Sequence, residues 1–352
     1  MENSTESKKY NVGIIGYGWV ATAHIDAINK SDDAQVTAIY SSRSLDDESL
    51  SNQWGSSIKT YTDLDQMLSD PDIHVVSICS YPNQHTEQAI KAAEAGKHLI
   101  IEKPLALTWE DCLSIKQAVA KAQVKTCVCF ECRYSSQFKV TKSILDKGLL
   151  GEIHYGEIDY YHGIGPWYGQ YRWNVKKNPG GSALLSAGCH ALDALLLCMD
   201  SEVVEVTSYD TKSKSEIFGP YEYPTSSVTI MRFENGAIGK CASSIDCLQP
   251  YYFHTHLVGS EGSLLDNKFH SMQLGTDKSA WSSLAMKLLD SGDVSDHPYL
   301  DQFNAFFSAI SDNQEMALTS LDIALKSFQV VFAADQSAEE KRSIKIDELK
   351  IG

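Results

Sequence analysis

The sequence predicts an α/β protein. A doubly wound parallel sheet is expected over residues 9–131, and an α+β domain built on a large, mostly antiparallel sheet over residues 132–352. A glycine-rich turn links an apolar strand to a helix at Val12-Gly-Ile-Ile-Gly-Tyr-Gly-Trp-Val-Ala21. Strand-like and helix-like patterns then alternate through the first third of the chain, as parallel strands joined by crossover helices require. Beyond Gly151 the apolar period becomes two, the signature of half-buried strands.

In the first domain, the pattern places strands at 11–15, 36–40, 75–79, 98–101 and 125–130. Helices fall at 21–29, ahead of Ile58, and at 64–68, 86–95 and 110–122. In the second, period-2 runs cover 153–161, 203–209, 226–233, 237–244 and 252–258, with Asn235-Gly236 as a hairpin turn. Ser182 is suited to cap a helix in which Leu185, Cys189, Leu192 and Leu196 form an apolar stripe. Ser186, His190 and Asp193 share another face of it at i, i+4 and i+7. Helical patterns at 300–310 and 320–334 close the chain. Helices are expected on one face of the second sheet, leaving the other to pair with another copy in a homo-oligomer, a dimer or tetramer.

With 352 residues, 43% of them hydrophobic, the chain can fill a core in each domain. A net charge of -16 argues against nucleic acid and anionic membranes as partners. No apolar run reaches bilayer length and the first ten residues are polar, so a cytoplasmic protein without signal peptide or membrane helix is expected. Cys79, Cys189 and Cys198 lie in apolar segments and read as reduced core thiols. Cys127, Cys129 and Cys132 lack a second Cys or His group at finger-like spacing, so no metal is expected.

The chemistry-bearing residues cluster at predicted strand ends. Gly16 permits a sharp turn, Gly18 lets the backbone approach a pyrophosphate, and Trp19 and Val20 open the helix whose N-terminus faces it. After the second strand, Ser41, Ser42 and Arg43 offer no carboxylate for a ribose 2′-hydroxyl. Ser42 and Arg43 suit a 2′-phosphate, which favours NADP over NAD while leaving NAD open. Glu102-Lys103-Pro104 places a lysine at the carboxyl end of a central strand. The aromatic stretch 160–173, with Tyr161, His162, Trp167, Arg172 and Trp173, suits the apolar face and hydroxyl rim of a sugar, and Trp173 also suits a nicotinamide wall.

These motifs occur in order with Ser80-Tyr-Pro-Asn-Gln-His85, Glu131-Cys-Arg-Tyr134, Gly148-Leu-Leu-Gly-Glu-Ile153, Gly180-Gly181 leading to Gly188-Cys-His190, and Gly259-Ser-Glu-Gly-Ser263. Together they resemble the Gfo/Idh/MocA oxidoreductase family, named for glucose-fructose oxidoreductase and inositol dehydrogenase, over nearly the whole chain. The resemblance implies a Rossmann domain and hydride transfer between a nicotinamide cofactor and a secondary hydroxyl of a cyclic sugar, glycoside or polyol. It implies further cofactor contacts from Ser80, Pro82, Asn83, His85 and Glu102. Lys103 maps to the lysine that touches nicotinamide ribose and substrate hydroxyl, followed by a commonly cis proline. His190 maps to the histidine of a D-x-x-x-H pair whose aspartate is here Ser186; Arg133 and Asp193 are the remaining expected substrate contacts.

Hydride leaves an alcohol carbon only as the hydroxyl proton is removed, and His190, with an ordinary pKa near 6.5, suits that base. Ser186 removes a negative partner from this relay. Two other readings use the same fold: a redox-neutral elimination with a recycled cofactor, in which Tyr161 or His162 is the extra base, and a non-catalytic nucleotide-binding sensor.

Overall fold

The computed structural model describes residues 9–349. The opening residues read above as polar and the last three residues of the second predicted domain lie outside them. The chain divides into two compact units. One comprises the chain up to Ala106, Glu110–Glu131 and His297–Ile323; the other comprises Leu107–Trp109, Cys132–Asp296 and the chain from Ala324.

The first unit carries β1 (Tyr10–Ile15), α1 (Trp19–Lys30), β2 (Ala34–Tyr40), α2 (Asp47–Trp54), β3 (Lys59–Tyr61), α3 (Leu64–Leu68), β4 (Val75–Ile78), α4 (Pro82–Glu94), β5 (His98–Ile101), most of α5 (Trp109–Ala122) and β6 (Thr126–Val128). The strands pair in parallel in the order β3-β2-β1-β4-β5-β6. Val12, Val75, Ile78, Leu99 and Ile101 are fully buried, as strands covered on both faces must be. The strand order reverses between β1 and β4, where such sheets open a ligand crevice at the carboxyl ends of the strands.

Two predicted bounds shift for local reasons. The helix expected at 86–95 begins at Pro82, which occupies the first turn, where no N–H is needed. The strand expected at 125–130 stops at Val128, because the Phe130 N–H turns back onto the Val128 carbonyl at 2.7 Å. A single cut after residue 131 also fails to describe the unit. The helix Tyr299–Ser311 returns to it, packing on α1 and β6, and Gln302 Nε2 donates to the Val128 carbonyl at 3.0 Å.

The second unit begins with α6 (Ser136–Asp146), β7 (Ile153–Tyr161), two one-turn helices, α7 (Tyr171–Asn174) and α8 (Lys177–Gly180), and a π turn (Leu184–Gly188) running into α9 (Cys189–Cys198). Then follow β8 (Val203–Thr211), β9 (Ser226–Phe233), β10 (Ile238–Ser244), β11 (Tyr252–Gly259), β12 (Gly262–Leu265), β13 (Lys268–Ser271), β14 (Ser282–Ser283), α10 (the returning helix, Tyr299–Ser311, of the first unit), α11 (Leu321–Glu340) and β15 (Ile344–Lys345). The sheet order is β14-β13-β12-β11-β7-β10-β9-β8-β15. Its described pairings are antiparallel except β7 with β10. The β9–β10 hairpin turns at Asn235-Gly236, with Gly236 at φ 86°.

Strand β7 shows how the sheet separates its faces. Gly156, Ile158 and Tyr160 face α9, where a Cβ on Gly156 would lie 2.8 Å from Leu195 and Met199. Tyr155, Glu157, Asp159 and Tyr161 alternate onto the other face.

Helix α9 is buried from Cys189 to Leu195, with Leu196 and Leu197 half-buried, which corrects the expected division into an apolar stripe and a polar face: Ser186, His190 and Asp193 are buried along with Leu185, Cys189 and Leu192. Counted along the helical path, Lys177–Cys198 is long and apolar enough by composition to cross a membrane, but its apolar window is 78% buried, and it is a core element. Ser182 acts as expected, accepting from the Leu185 N–H at 2.9 Å and donating to Asp335 at 2.7 Å. Where the ladder changes from π to α register, Ser243 Oγ donates to the Ala183 carbonyl at 3.0 Å, and a Cβ on Gly188 would overlap the Ser243 side chain. Gly188→Ala is therefore expected to lower stability by about 1–3 kcal/mol through overpacking. Urea unfolding checks this, and an unchanged midpoint contradicts the close approach.

Candidate active site

The glycine turn after β1 has the form of a phosphate cradle. Gly16 sits at φ 91°, and a Cβ there would meet the Ser80 backbone at 3.0 Å, so both strand ends at the crevice are held together by the absence of a side chain. Around Gly18 nothing lies within 4 Å of a notional Cβ. Gly18 begins α1 without a side-chain cap, which leaves the first-turn N–H groups and the positive end of the dipole to an anion. Trp19 is exposed and Val20 half-buried beside it. These features fit a dinucleotide pyrophosphate.

At the end of β2, Ser41 is buried and its Oγ accepts from the Arg43 N–H at 3.3 Å. Ser42 and Arg43 are exposed, and Arg43 Nη2 donates to the Tyr17 carbonyl at 3.3 Å, which lays the guanidinium beside the glycine turn. After β4, Ser80 donates to Gln88 and Asn83 is exposed, whereas Pro82 and His85 are buried. His85 Nδ1 lies 2.8 Å from the Pro104 carbonyl and Nε2 3.2 Å from the Ser80 carbonyl. Burial lowers its pKa, against the pull of these two carbonyls. The expected cofactor contact at His85 becomes a brace between two loops, because the ring has no surface to offer.

Lys103 follows β5, joined to Pro104 by a cis peptide bond. Glu102, also expected at the cofactor, is 4% exposed and acts as a buried anchor instead. Its Oε2 accepts from the Lys103 N–H at 3.0 Å, and its Oε1 accepts from His24 Nε2 at 2.9 Å and the Tyr299 hydroxyl at 2.8 Å. Burial opposes the charge on Glu102, but the His24 bond and charge outweigh it and bring its pKa to about 2. His24 itself has Nδ1 2.7 Å from Ser77 Oγ. Burial disfavours its imidazolium, yet Cys79 and Glu102 raise its pKa to about 10. His24, Glu102 and Cys129 also bring donor atoms within 4.8 Å of one another, with the first two joined in this ion pair.

A second carboxyl stands at the same edge of the sheet. Glu131, three residues beyond β6, is 2% exposed, with Oε1 3.4 Å from His297 Nδ1. Burial, and then the charge of Glu102, push its pKa up to about 8, while Lys103 draws it down. The Glu131-Cys-Arg-Tyr134 motif was read for Arg133 and not for Glu131; the position of Glu131 just past a strand end was the further signal.

In the second unit, Arg133 and Asp193 are buried and paired. Nε and Nη2 donate to the two carboxylate oxygens at 2.7 and 2.8 Å, and Ser327 donates to the same carboxylate at 2.6 Å. Asp193 is 0% exposed, so its expected substrate contact is corrected to a fixed pair that holds α9 to the start of the unit. Arg133 is spent on the same pair. Ser186, 6% exposed, lies by the Tyr223 hydroxyl. Tyr223 in turn donates to Asn174, a hub with no sequence motif. His190, 5% exposed, opens α9 directly after the π turn, a helical irregularity frequent at functional sites.

His162 is buried with Nδ1 3.0 Å from the Tyr160 hydroxyl and its ring 4.6 Å from Tyr168. Tyr161 is separated from it by the strand alternation: it stacks on Tyr252 at 6.2 Å and donates to Asp159 on the face opposite α9. Trp167 is 61% exposed, Arg172 exposed and Trp173 half-buried. Glu157, His254 and His256 also bring donor atoms within 4.8 Å on the open face. Glu157 is held there by Lys240 and Tyr155, and His254 by Asp266.

The doubly wound sheet and its glycine cradle define a dinucleotide-binding oxidoreductase. The family model described as an oxidoreductase family with an NAD-binding Rossmann fold matches residues 10–130, and the GFO/IDH/MocA C-terminal domain model matches residues 138–265. The chain belongs to the Gfo/Idh/MocA oxidoreductase family. It is 27% identical over 339 residues to myo-inositol 2-dehydrogenase of Thermotoga maritima, covering 96% of this chain and 99% of that protein. A crystal structure of a probable dehydrogenase from Thermotoga maritima superposes with a TM-score of 0.80 at 25% identity, covering 97% and 100% of the two chains. Levoglucosan dehydrogenase in complex with NADH has the same fold, with a TM-score of 0.81 at 23% identity and 96% and 99% coverage.

Arg133→Ala would leave the Asp193 carboxylate buried without its cation, a loss of about 3–5 kcal/mol. Thermal or urea unfolding is expected to show this loss. A variant of unaltered stability and raised KM for substrate would instead make Arg133 a substrate ligand.

Proposed function

We propose that this oxidoreductase passes a hydride between a nicotinamide cofactor and a secondary hydroxyl of a cyclic polyol, sugar or glycoside. The observation that carries the reading is the placement of Lys103. It stands at the carboxyl end of β5, on the edge of the sheet that bears the glycine cradle, with its backbone fixed by a carboxylate locked in its charged form. The names of the relatives, inositol and levoglucosan dehydrogenases, support a ring-bound hydroxyl as the reacting group.

The bound cofactor supplies the hydride acceptor or donor. Lys103 Nζ binds and polarises the reacting oxygen, and His190 takes or gives the hydroxyl proton. Ser186 contributes a hydrogen bond and no charge. Trp167, Arg172 and Trp173, with His162 behind them, supply ring faces and donors for a sugar, and Trp173 a wall for the nicotinamide. Arg43 supports NADP: its guanidinium lies by the glycine turn, and no carboxylate ends β2.

The open face of the second sheet supports a homo-oligomer, since Val228, Ile230 and Ile238 are exposed there at 42%, 49% and 47%. The nine cysteines form no disulfide among the described residues, which fits a reducing, cytoplasmic setting.

A panel of cyclic polyols, sugars and glycosides with NAD and NADP, followed by nicotinamide absorbance, tests the reading. Cofactor reduction by ring hydroxyls is expected. Arg43→Ala is expected to weaken NADP by about 1.5–3 kcal/mol, the value of a hydrogen bond to a charged group, and to leave NAD unaffected. Equal losses would contradict the phosphate contact. Substrate cleavage without net reduced cofactor would contradict the dehydrogenase reading.

A further inference from the structure

The face of the second sheet that turns away from α9 carries a group of donors that the proposed reaction does not use. Glu157 on β7 lies directly opposite His256 on β11, and Asp159 directly opposite His254. Side chains opposite each other, or two apart along one strand, are neighbours on one face of a sheet. One donor atom each from Glu157, His254 and His256 is accordingly within 4.8 Å of the others. All three side chains are half-buried, anchored by the sheet yet reachable by an ion from solvent.

The histidines are prepared for ligation. A metal-binding imidazole is oriented by a carboxylate that accepts from its other ring nitrogen. His254 has that arrangement: its Nδ1 stands 3.0 Å from the Tyr252 hydroxyl and 3.3 Å from Asp266 Oδ1. Tyr252 gives its own proton to Asp266 Oδ2 at 2.8 Å, so both oxygens facing Nδ1 accept. Nδ1 then carries the ring proton, and the Nε2 lone pair is left for a ligand. Asp266 is fixed in turn by the Thr255 N–H, which donates to Oδ1 at 2.9 Å. His256 has ring contacts with Tyr155 and His254 and no hydrogen bond among the described residues, so neither of its nitrogens is committed.

The local charge favours a dication. Glu157 Oε1 and Asp159 Oδ2 share Lys240 Nζ at 2.5 and 2.7 Å. Three carboxylates, those of Glu157, Asp159 and Asp266, stand against this one ammonium, and with neutral histidines two negative charges are unmatched. Asp159 keeps Lys240 paired when Glu157 turns an oxygen to an ion, and Tyr155 still donates to Glu157 Oε2 at 2.8 Å.

We propose that Glu157, His254 and His256 form a zinc site on the open face of the second sheet, with Asp266 as its positioning residue and water in the fourth place. Two imidazoles and one carboxylate suit zinc, whereas calcium and magnesium take oxygen ligands. Zinc–ligand bonds of about 2.0–2.2 Å draw the three donors closer together than they stand, a movement open to half-buried side chains. The cysteine spacing that argues against a metal does not bear on this set, to which no cysteine belongs. The site is across the sheet from α9, so the ion ties β7 to β11 and takes no part in hydride transfer. The proposal is independent of the oxidoreductase reading.

Calorimetric titration of the full chain with zinc, after treatment with a chelator, tests it. Saturable binding is expected, together with a urea-unfolding midpoint that rises with free zinc. Cobalt as a probe is expected to give the visible absorption of nitrogen and oxygen ligation without a thiolate charge-transfer band. His254→Ala combined with His256→Ala is expected to abolish binding, and Asp266→Asn to weaken it 10- to 100-fold. Lys240→Met, which removes the competing cation, is expected to tighten it. Unchanged zinc affinity in the double variant, or a thiolate band with cobalt, would place the ion elsewhere and overturn the proposal. If the double variant does not fold, Glu157→Gln decides by the same titration: weakened binding supports the site and unaltered affinity overturns it.

Discussion

The ionised Glu102 is the constraint on which the first unit turns. A carboxylate taken out of water is costly unless every part of its charge is answered. Here the answers come from three directions: His24 on α1, Tyr299 on α10 and the N–H of Lys103 itself. Because α1 is also the helix whose N-terminus forms the phosphate cradle, one buried ion pair fixes Lys103 relative to the place where the cofactor's charge would rest. The return of α10 to this unit follows from the same requirement, since Tyr299 completes the carboxylate's set of donors.

In the second unit the corresponding constraint is the close seating of α9. Glycines at 156 and 188 let the helix approach β7 and β10, and the Arg133–Asp193 pair holds its middle by two charge-assisted bonds. A helix with no exposed face cannot slide or fray to relieve local strain. His190 is thus presented from a rigid element, and the π turn just before it sets where that element begins.

Much of this was legible in the sequence because it is written locally. Strands β1, β4 and β5 are mostly apolar, β7 and β9 alternate, and Gly16, at φ 91°, makes a turn that other residues rarely adopt. The order of motifs was enough to carry the family. Contacts remote in the chain were not legible. Glu102 meets Tyr299 across 197 residues and Arg133 meets Asp193 across 60, so Glu102, His85 and Asp193 read as ligand contacts when the fold spends them on itself. Glu131 was overlooked for a different reason: its distinction lies in burial and in a fixed charge nearby, neither of which a short motif encodes.

The central claim is that a locked carboxylate places the lysine and does not itself hold the cofactor. Single-turnover hydride transfer in Glu102→Gln, measured beside equilibrium binding of the reduced cofactor, tests it most directly. The account predicts binding within about threefold of the unmodified protein and a transfer rate lower by roughly 100-fold, the cost of a small misplacement of a reacting group. An unaltered transfer rate, or a loss confined to cofactor affinity, would contradict it.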